Sequence, residues 1–276
     1  MSDFRDQYEW LSVLDPVEIK KNDTLYISSE LLWIIWKCKR TGAAFDGNLL
    51  LDYLQELVGP GGTLLIPTYS FDFSNKGTYD RRKTKSAVGY LGNVALARED
   101  FQRTRHPMHS FAVWGKYQSE FVRMDNSNSF GEGSPFSLMF DLGTKEIGIG
   151  LDNIDKACTF IHHIEVLANV PYRFIKEFQG SYTDLDGSTR EYTCEYSARD
   201  LSIGYKTKVE ELWQLMAKSG GAKRWVVDDI PIYSIDMAMV YQDLYRDMTE
   251  NKMAGMMDFT VDRDILFGGD YQICKK

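Results

Sequence analysis

Cysteine is scarce in this chain of 276 residues. The four, Cys38, Cys158, Cys194 and Cys274, are widely scattered and form no CxxC pair. A disulfide scaffold and a cysteine-built zinc site are therefore not expected, and reduced thiols in the cytoplasm fit best. No apolar run approaches the roughly 20 residues needed to cross a bilayer, so no membrane partner is expected. The start, Met1 to Trp10, is polar and acidic, without the basic stretch and apolar core of a signal peptide. Basic residues are also outnumbered, 32 Lys and Arg against 40 Asp and Glu, for a formal charge of −8. That sign argues against a nucleic-acid binder. GxxxxGK[ST], GxGxxG and GxSxG are all missing, which disfavours nucleotide hydrolysis, hydride transfer and an α/β-hydrolase.

The remainder reads as an α/β protein. Leu25 to Ser28 is a short buried strand, and Asp46 sits where a helix N-cap belongs. Leu49, Leu50, Tyr53, Leu54, Leu57 and Val58 follow at helical spacing. Gly59-Pro60-Gly61-Gly62 ends that helix before the apolar strand Thr63 to Pro67. Strand, helix, Gly-rich turn and strand make a βαβ unit, which predicts a mixed sheet with helices on both faces. Lys145 to Gly150 is another strand, and Thr159 to Ala168 has a helical apolar face. After Pro171 the character changes. Thr183 to Tyr196 predicts a hairpin around Asp186-Gly187, and helices are predicted over Val209 to Lys218 and from a Ser234 cap to Asp247. This divides the chain into an α/β body, 1–172, and an α+β portion, 173–276, packed on it or continuous with it.

The four histidines fall in two places, His106 with His109 and His162 with His163. On a helix, His162 and Glu165 are three residues apart and share a face, whereas His163 points about 100° away. A carboxylate beside an imidazole fixes its tautomer and raises its basicity, as a general base needs. The same pair also fits a solvated surface contact, or a metal site completed by His106 and His109.

With these residues in place, the chain resembles the aminoglycoside 3-N-acetyltransferase family. Asp23-Thr-Leu-Tyr-Ile-Ser-Ser-Glu-Leu31 is similar to that family's first strand and turn, and Gly59 to Thr68 to its second strand. Ser86-Ala-Val-Gly89 followed by His106-Pro-Met-His-Ser110 resembles its SxxG…HPxxS stretch. Gly131-Glu-Gly-Ser-Pro135 matches GEGSP, and Thr159-Phe-Ile-His162-His-Ile-Glu165 matches TxxHxxE. Two stretches depart from the family: Ser28-Ser29-Glu30 stands where classical members read His-Ser-Ser, and Trp33 to Arg40 replaces a small, glycine-containing segment.

The resemblance implies acyl transfer from an acyl-CoA, acetyl or longer, to a small-molecule amino sugar by direct attack, without a metal. His162 would be the base and Glu165 its acid neighbour. Ser28, Ser29, Leu31, His106, Ser110 and Thr159 would line the coenzyme A site, with Ser110 or a backbone N–H as oxyanion donor. Tyr69, Asp72, Glu132 and Asp152 would meet the acceptor, either an aminoglycoside or a nucleotide-linked amino sugar. Lys37, Lys39 and Arg40 would meet cofactor phosphates or form a solvated face, and Phe71 and Phe73 would stack on a ring or pack in the core. Asp152 or Asp155 could extend a proton relay. His163 would be structural or substrate-facing, and a homodimer stays open. A metal-dependent hydrolase and a non-catalytic coenzyme A-binding protein are the competing classes.

Overall fold

The computed structural model describes residues 8–154, 157–269 and 271–274; Met1–Gln7 of the polar start, and Asp155, lie outside the described residues. In chain order the strands are β1 (Thr24–Ser29), β2 (Thr63–Pro67), β3 (Thr78–Asp80), β4 (Gln102–Arg103), β5 (Phe111–Gly115), β6 (Lys145–Ile149), β7 (Arg173–Thr183), β8 (Thr189–Arg199), β9 (Tyr205–Thr207), β10 (Ala222–Val227), β11 (Ile230–Asp236) and β12 (Met257–Phe259). Seven of them form the central sheet in the order β10-β11-β6-β1-β2-β5-β4. Its middle, β6-β1-β2, is parallel, and the flanking pairs are antiparallel.

Alternation along the central strands explains the three layers. Leu25, Ile27, Leu64 and Ile66 face one core with Ile34, Leu50 and Leu54, while Tyr26 and Leu65 face the other with Phe136, Ile164 and Leu244. Helices Leu32–Thr41, Gly47–Val58 and Tyr90–Leu96 supply the first face. Helices Pro135–Asp141, Ile161–Leu167, Val209–Ala217 and Met237–Thr249 supply the second. A mixed sheet with helices on both sides is what the βαβ pattern predicted. The Asp46 cap is present too, its side chain accepting from the Asn48 N–H.

Three readings need correction. Ser234 is not a helix cap: it lies in β11, paired with Ile147, and the following helix is capped by Asp236, which accepts from Met239 N–H. The strand signal was apolar pairs on both faces, Ile230 with Ile232 in one core and Tyr233 with Ile235 in the other. The hairpin is longer than Thr183 to Tyr196: β7 begins at Arg173, directly after Tyr172, and turns over Asp184–Ser188. The helix carrying His162 is also shorter, Ile161–Leu167. Moreover, β10 and β11 extend the sheet that β1, β2 and β6 begin, so segments from both sides of residue 172 build one sheet.

A carboxyl sits inside that sheet. Glu146 of β6 is fully buried, and its Oε1 accepts from Ser28 Oγ at 3.1 Å and Tyr233 Oη at 2.8 Å. Gly148 has to be glycine because a Cβ there would collide with the Tyr233 ring. Burial pushes Glu146 up to about 7, against the hydrogen bonds of Tyr233 and Ser28, which lower it. The fold thus holds this proton more tightly than the unfolded chain. Stability should fall as pH rises from the ordinary 4.5 to about 7, by on the order of 1.4 kcal/mol per unit at most. Glu146→Gln removes the ionisation, so the variant should melt above the wild type at pH 8 and converge with it below pH 5. Thermal melts at the two pH values check this; a constant difference would contradict it.

Candidate active site

The site is built by one helix-turn-strand unit. The helix Ile161–Leu167 places His162 and Glu165 on one face. His162 Nδ1 lies 2.6 Å from Glu165 Oε2. A tight turn, with Val170 N–H donating to Glu165 O and Arg173 N–H to Val170 O, then starts β7 beside the same carboxylate. The Tyr172 hydroxyl donates to Glu165 Oε1. Arg173 Nε approaches Oε2 at 2.7 Å as a charge contact without hydrogen-bond alignment, and Arg173 Nη1 is tied to Ser197 O at 2.8 Å.

Exposure separates the two partners. Glu165 is 2% exposed and His162 37%, so the carboxylate is an interior anchor and the imidazole meets solvent. Burial alone would raise the Glu165 carboxyl, but the charges of His162 and Arg173 and the bonds from His162 and Tyr172 outweigh it and hold it down at about 2. Glu165 is therefore an anion at neutral pH. Arg173 Nη2 also lies 2.8 Å from His162 Nδ1. A guanidinium nitrogen only donates, so Nδ1 has two competing bonds: donation to Glu165 or acceptance from Arg173.

His162 borders a cavity of about 110 Å³, with Cys158, Glu165, Arg173 and Arg199 among its walls. A larger cleft of about 370 Å³ is lined by Ser28, Ser29, Tyr69, Gly89, Gly92 and Thr159. The stretch Ala157–Thr159 separates them, giving Cys158 to the first and Ala157 and Thr159 to the second. Ser28, Ser29 and Thr159, expected at the coenzyme A site, thus share one cleft with Tyr69, expected at the acceptor, and none of the four lines the His162 cavity.

Other expected site residues lie elsewhere. His106 is fully buried; its Nδ1 accepts from the Met108 and His109 N–H groups, and Nε2 contacts Ser127 O at 3.1 Å. Ser110 is sealed as well, donating to Thr68 O and accepting from Arg103 Nε at 2.9 Å. Neither presents a polar atom to a ligand: together they brace the loop that enters β5. His109, bonded to Ser129 Oγ at 2.8 Å, stacks on Tyr196. Leu31 is core. Among the described residues, no three His, Cys, Asp or Glu converge to hold a metal ion.

The acidic acceptor residues also miss the His162 cavity. Asp72 opens a five-residue helix and pairs with exposed Lys76 at 3.0 Å. Glu132 is at an exposed loop tip, and exposed Asp152 faces Trp213 and Trp225. Phe73 is core and Phe71 partly exposed. Lys37 pairs with Asp228, and Arg40 covers Trp36. His163 is structural, buried with Nδ1 2.5 Å from Phe130 O. Sequence reasoning missed Tyr172, Arg173 and Phe130, whose ring packs edge-on to His162 at 5.3 Å. Tyr172 and Arg173 follow the helix within one turn, a signal that the apparent change of character after Pro171 hid.

The sequence model of the aminoglycoside 3-N-acetyltransferase family matches residues 38–248. Among solved structures, aminoglycoside acetyltransferase AAC(3)-Xa superposes with a TM-score of 0.71 at 19% identity, covering 90% of this chain and 96% of that one. AAC-IIIb, solved as a binary complex with CoASH, gives a TM-score of 0.70 at 18% identity, covering 89% and 96%. The YokD protein from Bacillus subtilis gives 0.69 at 16%, covering 89% and 99%. These likenesses show the fold, and the match over most of the chain shows the family. The chain therefore belongs to the aminoglycoside 3-N-acetyltransferase family, whose members are acyl-CoA-dependent N-acyltransferases.

Proposed function

We infer that this protein transfers an acyl group from an acyl-CoA to a primary amine of an amino sugar, an aminoglycoside or a nucleotide-linked sugar, with His162 as general base. One observation carries the reading: a solvent-reaching imidazole is bonded at 2.6 Å to a buried carboxylate that Tyr172 and Arg173 also hold. A solvated surface pair would not have a partner only 2% exposed.

The larger cleft fits coenzyme A. Bare backbone at Gly89 and Gly92 forms part of its wall, and a Cβ on Gly92 would strike Pro67 O. Ser28, Ser29 and Thr159 also line it, the Ser28 hydroxyl donating to Glu146 behind the wall. The co-substrate supplies a thioester, already activated for attack, so no covalent enzyme intermediate is required. An alkyl ammonium is not a nucleophile until it loses a proton. Nδ1–H donation to Glu165 leaves the Nε2 lone pair of His162 to take that proton. Glu165 steadies the resulting imidazolium; collapse of the tetrahedral adduct breaks the C–S bond, His162 returns its proton to the departing thiolate, and the second proton that the nitrogen sheds in becoming an amide passes to solvent. With Ser110 sealed, the oxyanion donor falls to a backbone N–H bordering the cleft.

His162→Asn should keep its fold and lose about 10²–10⁴ in kcat, read as thiol release from acetyl-CoA with an amino-sugar panel; unchanged turnover would remove His162 from the reaction. Arg173→Met should cost about 3 kcal/mol at pH 7, because it leaves the buried carboxylate short of a cation. The sign follows from Glu165: with its folded value at about 2, below the ordinary 4.5, its contribution is present above pH 4.5 and lost as pH falls towards 2. Urea titrations at pH 7 and pH 3.5 should therefore show the gap between wild type and variant narrowing.

A further inference from the structure

Resting on the reading above, the unspent charge in the His162 cavity says more about what is transferred. Three permanently or strongly ionised groups line it: Glu165, Arg173 and Arg199. Glu165 and Arg173 neutralise each other at 2.7 Å. Arg199, the last residue of β8, lies over the Tyr205 ring at 4.0 Å and has no carboxylate partner among the described residues. Its sequence neighbour Asp200 is committed elsewhere, accepting from Ser202 N–H and Oγ, Tyr271 Oη and Cys274 N–H. Asp258 of neighbouring β12 pairs with Lys208 and Arg263. Among the described lining residues, one carboxylate therefore stands against two guanidiniums.

Size limits the occupant. At about 110 Å³, the space is smaller than the roughly 150 Å³ cavity that admits benzene. It suits an arm of a few heavy atoms rather than a sugar ring. Part of the wall is apolar, from Ile154, Leu212, Met256 and Met257, so a single guanidinium is the feature that fixes orientation. Polycationic acceptors gain nothing here: the carboxylate that would draw them is already shared among His162, Tyr172 and Arg173.

We propose that this cavity receives a carboxylate- or phosphate-bearing arm of one of the two substrates, and that Arg199 is the specificity-determining residue that binds it. The arm comes either with the acyl group, as in a dicarboxylic half-thioester, or with the acceptor, as in an amino-sugar phosphate. The chemistry of capture is the same: a planar, always-charged fork closing on two oxygens.

The test measures kcat/KM by thiol release in two arms. One compares succinyl-CoA with acetyl-CoA on glucosamine; the other compares glucosamine 6-phosphate with glucosamine using acetyl-CoA. In the arm that carries the native anion, the charged substrate should exceed its uncharged counterpart by about tenfold or more. That ratio should fall towards one in Arg199→Gln, which keeps a planar group over Tyr205, and Arg199→Lys should retain part of it. Arg199→Lys carries the test alone if Arg199→Gln fails to fold. Turnover without an anion preference in either arm, or a ratio that survives both variants, would overturn the proposal while sparing the acyltransferase reading. No thiol release from any pair would overturn both.

Discussion

A carboxylate removed from water needs cations and donors around it, and Glu165 gathers the candidate active site by that need. Among the described residues it is met by an imidazole from its own helix, the Tyr172 phenol just before β7 and the Arg173 guanidinium that starts it. Each partner is thereby fixed in turn. Arg173 is drawn against β8 through Ser197 O, Tyr172 is locked into the core, and His162 is oriented with its ring against Phe130. The hairpin that looks like an appendage in the sequence supplies Arg173, part of the constraint on the Glu165–His162 pair.

The same economy appears one layer deeper. Glu146 lies in the parallel centre of the sheet, joining Ser28 at the end of β1 to Tyr233 of β11. Where Glu165 is compensated by cations and stays ionised, Glu146 meets the neutral donors Ser28 and Tyr233, and burial pushes it towards its protonated form. Two buried carboxyls, with opposite shifts, illustrate how neighbours rather than burial decide the charge state. One holds the His162 ring, and the other ties Ser28, in the wall of the larger cleft, to β11.

Much of this was legible in the residues. Leu25, Ile27, Leu64 and Ile66 alternate as strands, Asp46 marks a helix start, and the three-residue spacing of His162 and Glu165 is a statement about one helical face. What escaped reading was burial and long-range pairing. His106 and Ser110 carry the atoms of a ligand site, yet loop packing turns them inward onto Ser127 O and Thr68 O. Ser234 has the chemistry of a cap but pairs with Ile147, a contact that spans the chain. Asp72, Glu132 and Asp152 could be nominated by charge alone, whereas their direction depends on loops that no local pattern encodes.

The central claim is that Glu165 holds the His162 imidazole with Nδ1 protonated and Nε2 free to take a proton, even though Arg173 Nη2 lies 2.8 Å from that same Nδ1. Nitrogen NMR of the labelled protein reads this directly through the one-bond and two-bond couplings of the ring. The expected result is an Nδ1–H tautomer for neutral His162, with Nε2 resonating as an unprotonated ring nitrogen. An Nε2–H tautomer, with Nδ1 accepting from Arg173, would contradict the account.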